Sequence, residues 1–592
     1  MKNDAENQTK GKIPTPDRMS RRKLLTTMGI TGAAVVATGS LMPTFGQTAL
    51  AQTSARNDDK SERFFDDASR LTYRYKEKSP ERSVGEKLRE TFSVLDFGAV
   101  GDGEASDSKA IQAALDAATK TERGAIVEIP DGSYRITEHL SIYSNTTLLA
   151  SPNAYIYRDH GGYLLMNGDR DEAYYDYDGH GNIQIVGGIW DQNAENYGQA
   201  ICIAIGHGDQ IIIDNITVLD VPGSHAIEIN SSQNVSITNS RFLGFTDPNG
   251  DRGFSEAIQL DLARESGVFP PFGAYDKTPC RKITITHCYF GKSEKSGSWG
   301  RGIGSHSSTI ERWHEDITIT HNIFEDMENQ AVRTYSWRNV IISNNTFLHC
   351  GGAIGVYPPL LSKPQDTKDP DGKQTNKSQA CEQYVISNNT IWGGQTYSPG
   401  ISISGQDEGG FIMHASVTGN TISNSEGDSQ AIYVNNAKRI NITGNTISGI
   451  NSNGISGSNG EQYKIEGNVI YDTKSNGIRV QNFVQQAVVA NNEIKDVDLH
   501  GIYVTNKIDM INIAHNNILN VNREASDDVQ HIRITEDNDH ISIMGNICKQ
   551  EDGSAVALKI TESNKNIVRT GNVFTDLTID DTSDSKVGVD LE

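Results

Sequence analysis

Cysteine is scarce: six thiols (Cys202, Cys280, Cys288, Cys350, Cys381, Cys548) are scattered through 592 residues, with no pair at zinc-ligand spacing. This excludes a disulfide scaffold and a structural zinc site, and it leaves the six as small buried hydrophobes. Proline is also sparse, at 16 residues against 56 glycines, so the chain is neither collagen-like nor Pro-rich. Basic residues are outnumbered, 53 Lys and Arg against 76 Asp and Glu, for a net charge of −23. Such a surface repels nucleic acid and anionic membrane. It also disfavours a polyanionic ligand, unless the binding groove is locally basic.

No run is apolar enough for a strong transmembrane helix. The uncharged stretch from Leu24 to Ala51 contains Thr26, Thr27, Gly29, Thr31, Gly32 and Gly39, and it ends on a small-x-small Ala49-Leu50-Ala51. It follows Ser20-Arg21-Arg22-Lys23. This combination resembles a bacterial twin-arginine signal peptide over residues 1–51, removed on export. The mature chain is then expected outside the cell and free of membrane. Residues 52–90 read as a polar arm, and 576–592 as an acidic tail.

What is abundant is a repeat. One pattern runs small, aliphatic, any, aliphatic or small, polar, as in Ala226-Ile-Glu-Ile-Asn230, Ala257-Ile-Gln-Leu-Asp261, Ala331-Val-Arg-Thr-Tyr335 and Gly477-Ile-Arg-Val-Gln481. A second pattern ends on a polar pair followed by an aliphatic or Phe, as in Asn339-Val-Ile-Ile-Ser-Asn-Asn-Thr-Phe347. Both have period two and predict strands with one buried face. Successive first patterns can lie as close as 331 to 353, and longer gaps hold inserted loops. Short strands at that spacing, with Asn at the turns (Asn345, Asn389, Asn420, Asn445, Asn492, Asn516, Asn546), predict an all-β parallel β-helix over 91–575. Asn suits those turns because it tolerates left-handed backbone and can ladder with its neighbours. Ile111, Ala114, Leu115 and Ala118 share a helical face, so an amphipathic capping helix near 107–120, N-capped by Asp107, is expected to close the open end.

The opening, Phe92-Ser-Val-Leu-Asp-Phe-Gly-Ala-Val-Gly-Asp-Gly103, then the helix, then Gly124-Ala-Ile-Val-Glu-Ile-Pro-Asp-Gly-Ser-Tyr134, resembles the pectate-lyase and family 28 glycosidase-like superfamily of right-handed β-helices. The lead-in Gly85-Glu-Lys-Leu-Arg-Glu-Thr-Phe-Ser-Val94 is similar to that of phage tailspikes. The resemblance implies a right-handed coil and a carbohydrate substrate. The chain lacks the paired aspartates and Gly-His-Gly of polygalacturonases and the Asp-Pro-His-Glu of mannuronan epimerases, so the reaction stays open.

Alternation places the third and fifth residues of each first-pattern strand outward. The third column reads Cys202, Glu228, Gln259, Gly304, Arg333, Gly355, Ser402, and the fifth reads Ala204, Asn230, Asp261, His306, Tyr335, Tyr357, Ser404. Asp261, His306 and Tyr335 then form a column about 10 Å long, with Glu228 and Arg333 beside it. The longest insertions (244–255, 263–281, 291–301, 358–381) fall at these rungs and are expected to wall a groove. They and the adjoining strands offer Trp299, Trp313, Trp337, Phe269 and Phe272 for sugar stacking, with Arg301, Arg312, His314 and Tyr357 beside them.

Three activities fit. In a lyase, Arg333 neutralises a uronate while His306 and an acidified Tyr335 act as base and acid. In a hydrolase or glycan-transferring enzyme, Glu228 and Asp261, about 8 Å apart by strand spacing, act as the carboxylate pair, with His306 tuning Asp261. A non-catalytic spike would only hold glycan. The Arg, His and Tyr group tips the reading to a lyase on an acidic polysaccharide. Asp247-Pro-Asn-Gly-Asp251 has calcium-like oxygen spacing, but Gly253 is misplaced for a helix-loop-helix site. A plain turn is expected there, no cofactor is assigned, and Ca2+ is the one ion considered. A homotrimer of the tailspike kind is left open.

Overall fold

Each rung solves the same problem, which is how to bury a row of Ile, Val and Leu without leaving a sheet edge open. The computed structural model describes residues 68–591, apart from 122–123, 268, 270, 524–527 and 552–555. The twin-arginine segment and the first part of the arm lie outside the described residues. The later part of the arm is built into an antiparallel pair, Thr72–Tyr73 with Arg82–Ser83, and a short helix α1 (Val84–Leu88) with a capping box between Ser83 and Glu86.

From Thr91 onward the strands pair in parallel and wind as a right-handed β-helix with three faces. One turn shows the plan: Gln330–Tyr335 on the first face, Trp337–Ser343 on the second and Thr346–Leu348 on the third. The next turn repeats it with Gly352–Tyr357, Cys381–Ser387 and Thr390–Trp392, each paired to its counterpart. Register carries the core through the stack, with Ile258, Ile303, Val332, Ile354, Ile401 and Ile432 successive partners and all buried. On the third face Phe242, Phe290, Phe324 and Phe347 stack at 4.6–5.0 Å between ring centres. Full burial of one such side chain is worth about 1.5–3 kcal/mol. All six cysteines are buried and free.

The turn asparagines form a continuous buried ladder. Asn345 Nδ2 donates to Asn389 Oδ1 at 3.0 Å, Asn389 to Asn420, and Asn420 to Asn445. Asn322, Asn468 and Asn572 extend the ladder, and Asp590 Oδ1 ends it. The left-handed residue is the one before each rung of the ladder (Asn344, Asn388, Gly419, Gly444), which frees the Asn side chain itself for hydrogen bonding.

Helix α2 (Ser108–Thr119) closes the N-terminal end, with Ile111, Ala114, Leu115 and Ala118 buried. Asp107 stands at its N-cap position, but its carboxylate accepts from Val100 N at 2.6 Å instead of from the helix. The acidic C-terminal residues continue the coil. Thr578–Asp581 and Lys586–Val587 add to the stack, and Arg569 bonds Asp581 at 3.1 Å and Asp590 at 2.6 Å. Their acidity serves that pairing. Among the described residues, no helix is long and apolar enough to cross a membrane.

Candidate active site

Strands Ile227–Asn230 and Glu256–Asp261 lie side by side on the first face, with Glu228 opposite Gln259 and Asn230 opposite Asp261. The four polar residues form a two-by-two board with the carboxyls on one diagonal. Along each strand an amide braces the carboxyl: Asn230 Nδ2 donates to Glu228 Oε1 at 2.7 Å, and Gln259 Nε2 donates to Asp261 Oδ2 at 3.0 Å. Both amide oxygens are buried without a partner, so the board holds two acceptors free for donors. Burial pushes the Glu228 carboxyl up to about 8, and the neighbouring Asp261 charge adds to the rise. Glu228 is therefore a protonated acid at neutral pH. Asp261 is also raised by burial, but the His306 charge and hydrogen bonds from Ser307 and Leu262 N oppose the rise.

A second row runs beside this board. Glu256 is opposite Arg301, at 3.5 Å, and accepts from His306 Nδ1 at 3.3 Å. Burial works against the Glu256 charge, yet His306, Arg301 and His225 hold its carboxyl well below the usual range. His306 loses by burial but gains more from Glu256, so its imidazole is raised and tends to stay charged. His225 behaves oppositely. Its Nδ1 donates to the Glu256 backbone carbonyl at 2.7 Å, which leaves Nε2 as the lone-pair nitrogen of a neutral ring. Burial pushes the His225 imidazole down to about 4.

Glu228, Gln259, His225 and His306 open on one cleft of about 440 Å³, walled by Tyr163, Gln199, Ser224 and Gly267. Arg170 and Arg252 also line it. Arg252 donates Nε to Gly223 O at 3.1 Å and lies against Phe254, and Arg170 lies over Tyr163. Among the described residues neither guanidinium has a carboxylate within 4.0 Å, although other arginines of the chain do (Arg264, Arg338, Arg523, Arg569). In so acidic a chain, this cleft is a local reversal of sign. No group of three or more metal-ligating side chains occurs among the described residues. The Asp247 carboxylate is taken up by the N–H groups of Gly250, Asp251 and Arg252 and closes a turn.

The structure keeps Glu228 and His306 of the expected catalytic set in the cleft and moves the others. Strand Arg301–Gly304 ends before His306, so the expected Asp261, His306, Tyr335 column is broken and His306 turns to Glu256. Asp261 is fully enclosed behind Gln259. Tyr335 is buried beneath the 358–381 insertion, donating to Asp366 Oδ2 at 2.7 Å and accepting from Leu360 N. Burial and Asp366 drive its phenol far up, opposite to the acidification expected from Arg333. Arg333 is nearly buried, bonded to Ser305 O at 2.5 Å and packed against Tyr335 and Tyr357.

Of the stacking aromatics, Trp299 and Trp337 are core residues, with Nε1 on Phe242 O and Ser305 Oγ. Phe269 and Phe272 pack inward on Met166 and Ala204. His314 is buried, its imidazole pushed down to about 3, with Nδ1 accepting from Cys280 N. Arg301 faces Glu256, and Tyr357 accepts from Gln330. Arg312 and Trp313 line a different cavity on the second face. Register also corrects the outer columns by two residues at their start, since Glu228 is opposite Ala204 and not Cys202. Sequence reading missed His225, Glu256, Arg170 and Arg252. His225, Glu256 and Arg301 each stand one place before the small residue that opens a rung, and that position is the signal that could have found them.

Residues 91–357 match the family model described as rhamnogalacturonase A/epimerase, pectate lyase-like, and 374–529 match the right-handed β-helix region. The chain is 33% identical over 292 residues to plasmin and fibronectin-binding protein A of Streptococcus pneumoniae, covering 45% of this chain and 40% of that protein. It is 23% identical over 270 residues to probable rhamnogalacturonase C of Aspergillus niger, covering 44% and 56%. A solved tailspike protein double mutant of E. coli bacteriophage HK620 shares the fold, with a TM-score of 0.54 at 15% identity over 84% of each chain. The matches thus span 40% and 56% of the length of these curated relatives.

Proposed function

We propose that this chain, a right-handed parallel β-helix protein of the pectate-lyase-like superfamily, cleaves an acidic polysaccharide outside the cell by β-elimination in the Glu228 cleft. The observation that carries the reading is the pair of guanidinium groups, Arg170 and Arg252, lining the cleft without carboxylate partners among the described residues. A uronate would supply the missing anion, and charge-assisted pairing acidifies the C–H beside it.

The neutral His225 Nε2 then takes the C5 proton. The C5 electrons form a double bond to C4, and the C4–O bond breaks. The leaving oxygen takes the proton held by Glu228, and no water is consumed. A positioned acid or base of this kind contributes about 10²–10⁴ in rate. Charged His306, fixed by Glu256, adds positive potential at the developing enolate. The probable rhamnogalacturonases among the relatives support a polysaccharide substrate.

Hydrolysis is the second reading, favoured by one feature: the raised Glu228 carboxyl opens on the cleft as a general acid would, although Asp261 is enclosed and does not face substrate as its partner. Carboxyl-reduced and native forms of one uronic polysaccharide separate the readings. Elimination requires the carboxylate, so the reduced form should be inert. Equal cleavage of both forms would overturn the elimination.

A further inference from the structure

A second cavity of about 510 Å³, sharing no lining residue with the cleft, is lined by Asp276, Thr278 and Pro279. Its floor is a column on the second face where Arg281, Glu315 and Arg338 are successive partners. Aromatic rings from two loops lie against this column. Tyr177 packs on the Arg281 guanidinium at 4.6 Å, and Trp313 on that of Arg338 at 4.7 Å. The rings are thus held two rungs apart, about 10 Å by strand spacing, the length of about two sugar units.

Each platform is fixed from behind. Tyr177 OH donates to Pro279 O at 2.9 Å, and Trp313 Nε1 donates to Ala380 O at 2.8 Å. Asp176, next to Tyr177 in the chain, also lines the cavity, and its N–H donates to Asp276 Oδ2 at 2.7 Å. Arg312, which lines the cavity, has a buried Nε without an acceptor.

The charge pattern differs from that of the cleft. Here Arg338 donates both Nη2 and Nε to Glu315 Oε2, at 2.6 and 2.7 Å, and the lining mixes four carboxylates (Asp176, Asp276, Glu311, Glu315) with three guanidiniums (Arg281, Arg312, Arg338). Alternating donors and acceptors beside rigid aromatic faces suit a hydroxyl-rich, uncharged ligand, whose C–H faces stack and whose vicinal hydroxyls bridge acid and guanidinium. We propose that this cavity is a second, non-catalytic binding site for neutral sugar units of a glycan chain. It is independent of the chemistry in the Glu228 cleft.

The test uses tryptophan fluorescence of the full chain with a panel of neutral and uronic tetrasaccharides. Trp190, Trp299 and Trp337 are fully buried, so Trp313 and Trp392 are the reporters that can meet ligand. A neutral tetrasaccharide should shift the emission in a saturable way, in the Glu228→Gln variant as in the unaltered chain. The shift should vanish in Trp313→Phe and persist in Trp392→Phe. Tyr175→Ala, at an exposed position on the rim, should weaken binding about tenfold without touching the fold. No neutral sugar binding, binding by uronic sugars alone, or a shift that survives Trp313→Phe and Tyr175→Ala would each overturn the proposal.

Discussion

The rungs from Ala226 to Tyr357 and those from Ala431 to Thr535 share a core and differ in what they leave unsatisfied. In the later rungs the outward residues opposite one another are Tyr433, Ser456, Arg479, Tyr503 and Arg533. Most charge there is answered locally: Arg533 bonds Asp528 at 2.7 Å and Lys438 bonds Glu461 at 2.7 Å, while Arg479 lies over the Tyr503 ring at 5.3 Å. In the earlier rungs a protonated carboxyl and two histidines of opposite protonation meet in one cleft with Arg252 and, from the loop ahead, Arg170, neither with a carboxylate partner among the described residues. The regular solenoid stabilises; the interrupted solenoid stores uncompensated polarity where insertions enclose it. Uncompensated charge is costly to hold and is what a charged substrate relieves.

Breaking the cleft should cost activity without costing the fold. Glu228→Gln keeps the hydrogen bond to Asn230 but removes the acid, so turnover should fall about 10²–10⁴-fold with unchanged thermal unfolding. Arg252→Ala should lower kcat/KM on a uronic polysaccharide about 10²-fold. Arg479→Ala, the comparable change in the later rungs, should leave kcat/KM unaltered.

The pH profile sharpens the same contrast. Glu228 acts protonated, so the rate is lost as pH rises through about 8. His225 acts neutral, so the rate is lost as pH falls through about 4. A bell with limbs near those values is expected, and Glu228→Gln should remove the alkaline limb that Glu228 sets.

The opposite experiment breaks the regular part. Asn445→Ala leaves the donors of Asn420 without their acceptor and should destabilise the chain by about 1–3 kcal/mol while kcat is unchanged, as read by denaturant unfolding and steady-state rates. Tyr335→Phe is expected to have the smallest effect. It removes the bond given to Asp366 and the one taken from Leu360 N, costs about 1–2 kcal/mol of stability, and leaves the pH limbs in place.

The fold was legible because its period is written twice over, in alternating Ile and in turn Asn, and both are set by backbone geometry that side chains cannot override. The site was legible only where it lies on those strands, as Glu228 does. His225 and Glu256 precede the small residue from which each rung is counted, so alternation alone leaves them out. Arg170 and Tyr163 come from a loop ahead of the legible repeat. Trp299 shows the opposite failure. A tryptophan in an insertion reads as exposed, and nothing local tells that the insertion folds inward to pack it against Phe245 at 5.3 Å. His306 was placed on the right face, but the strand stops two residues before it, which changes its partner from Asp261 to Glu256.

The most direct test of elimination in the Glu228 cleft is to digest a panel of uronic polysaccharides with the chain and count unsaturated uronosyl ends against new reducing ends. One unsaturated end for every new reducing end is the predicted result. New reducing ends without unsaturation would contradict it and assign the cleft to hydrolysis. Retention of polysaccharide with no new ends would contradict catalysis altogether.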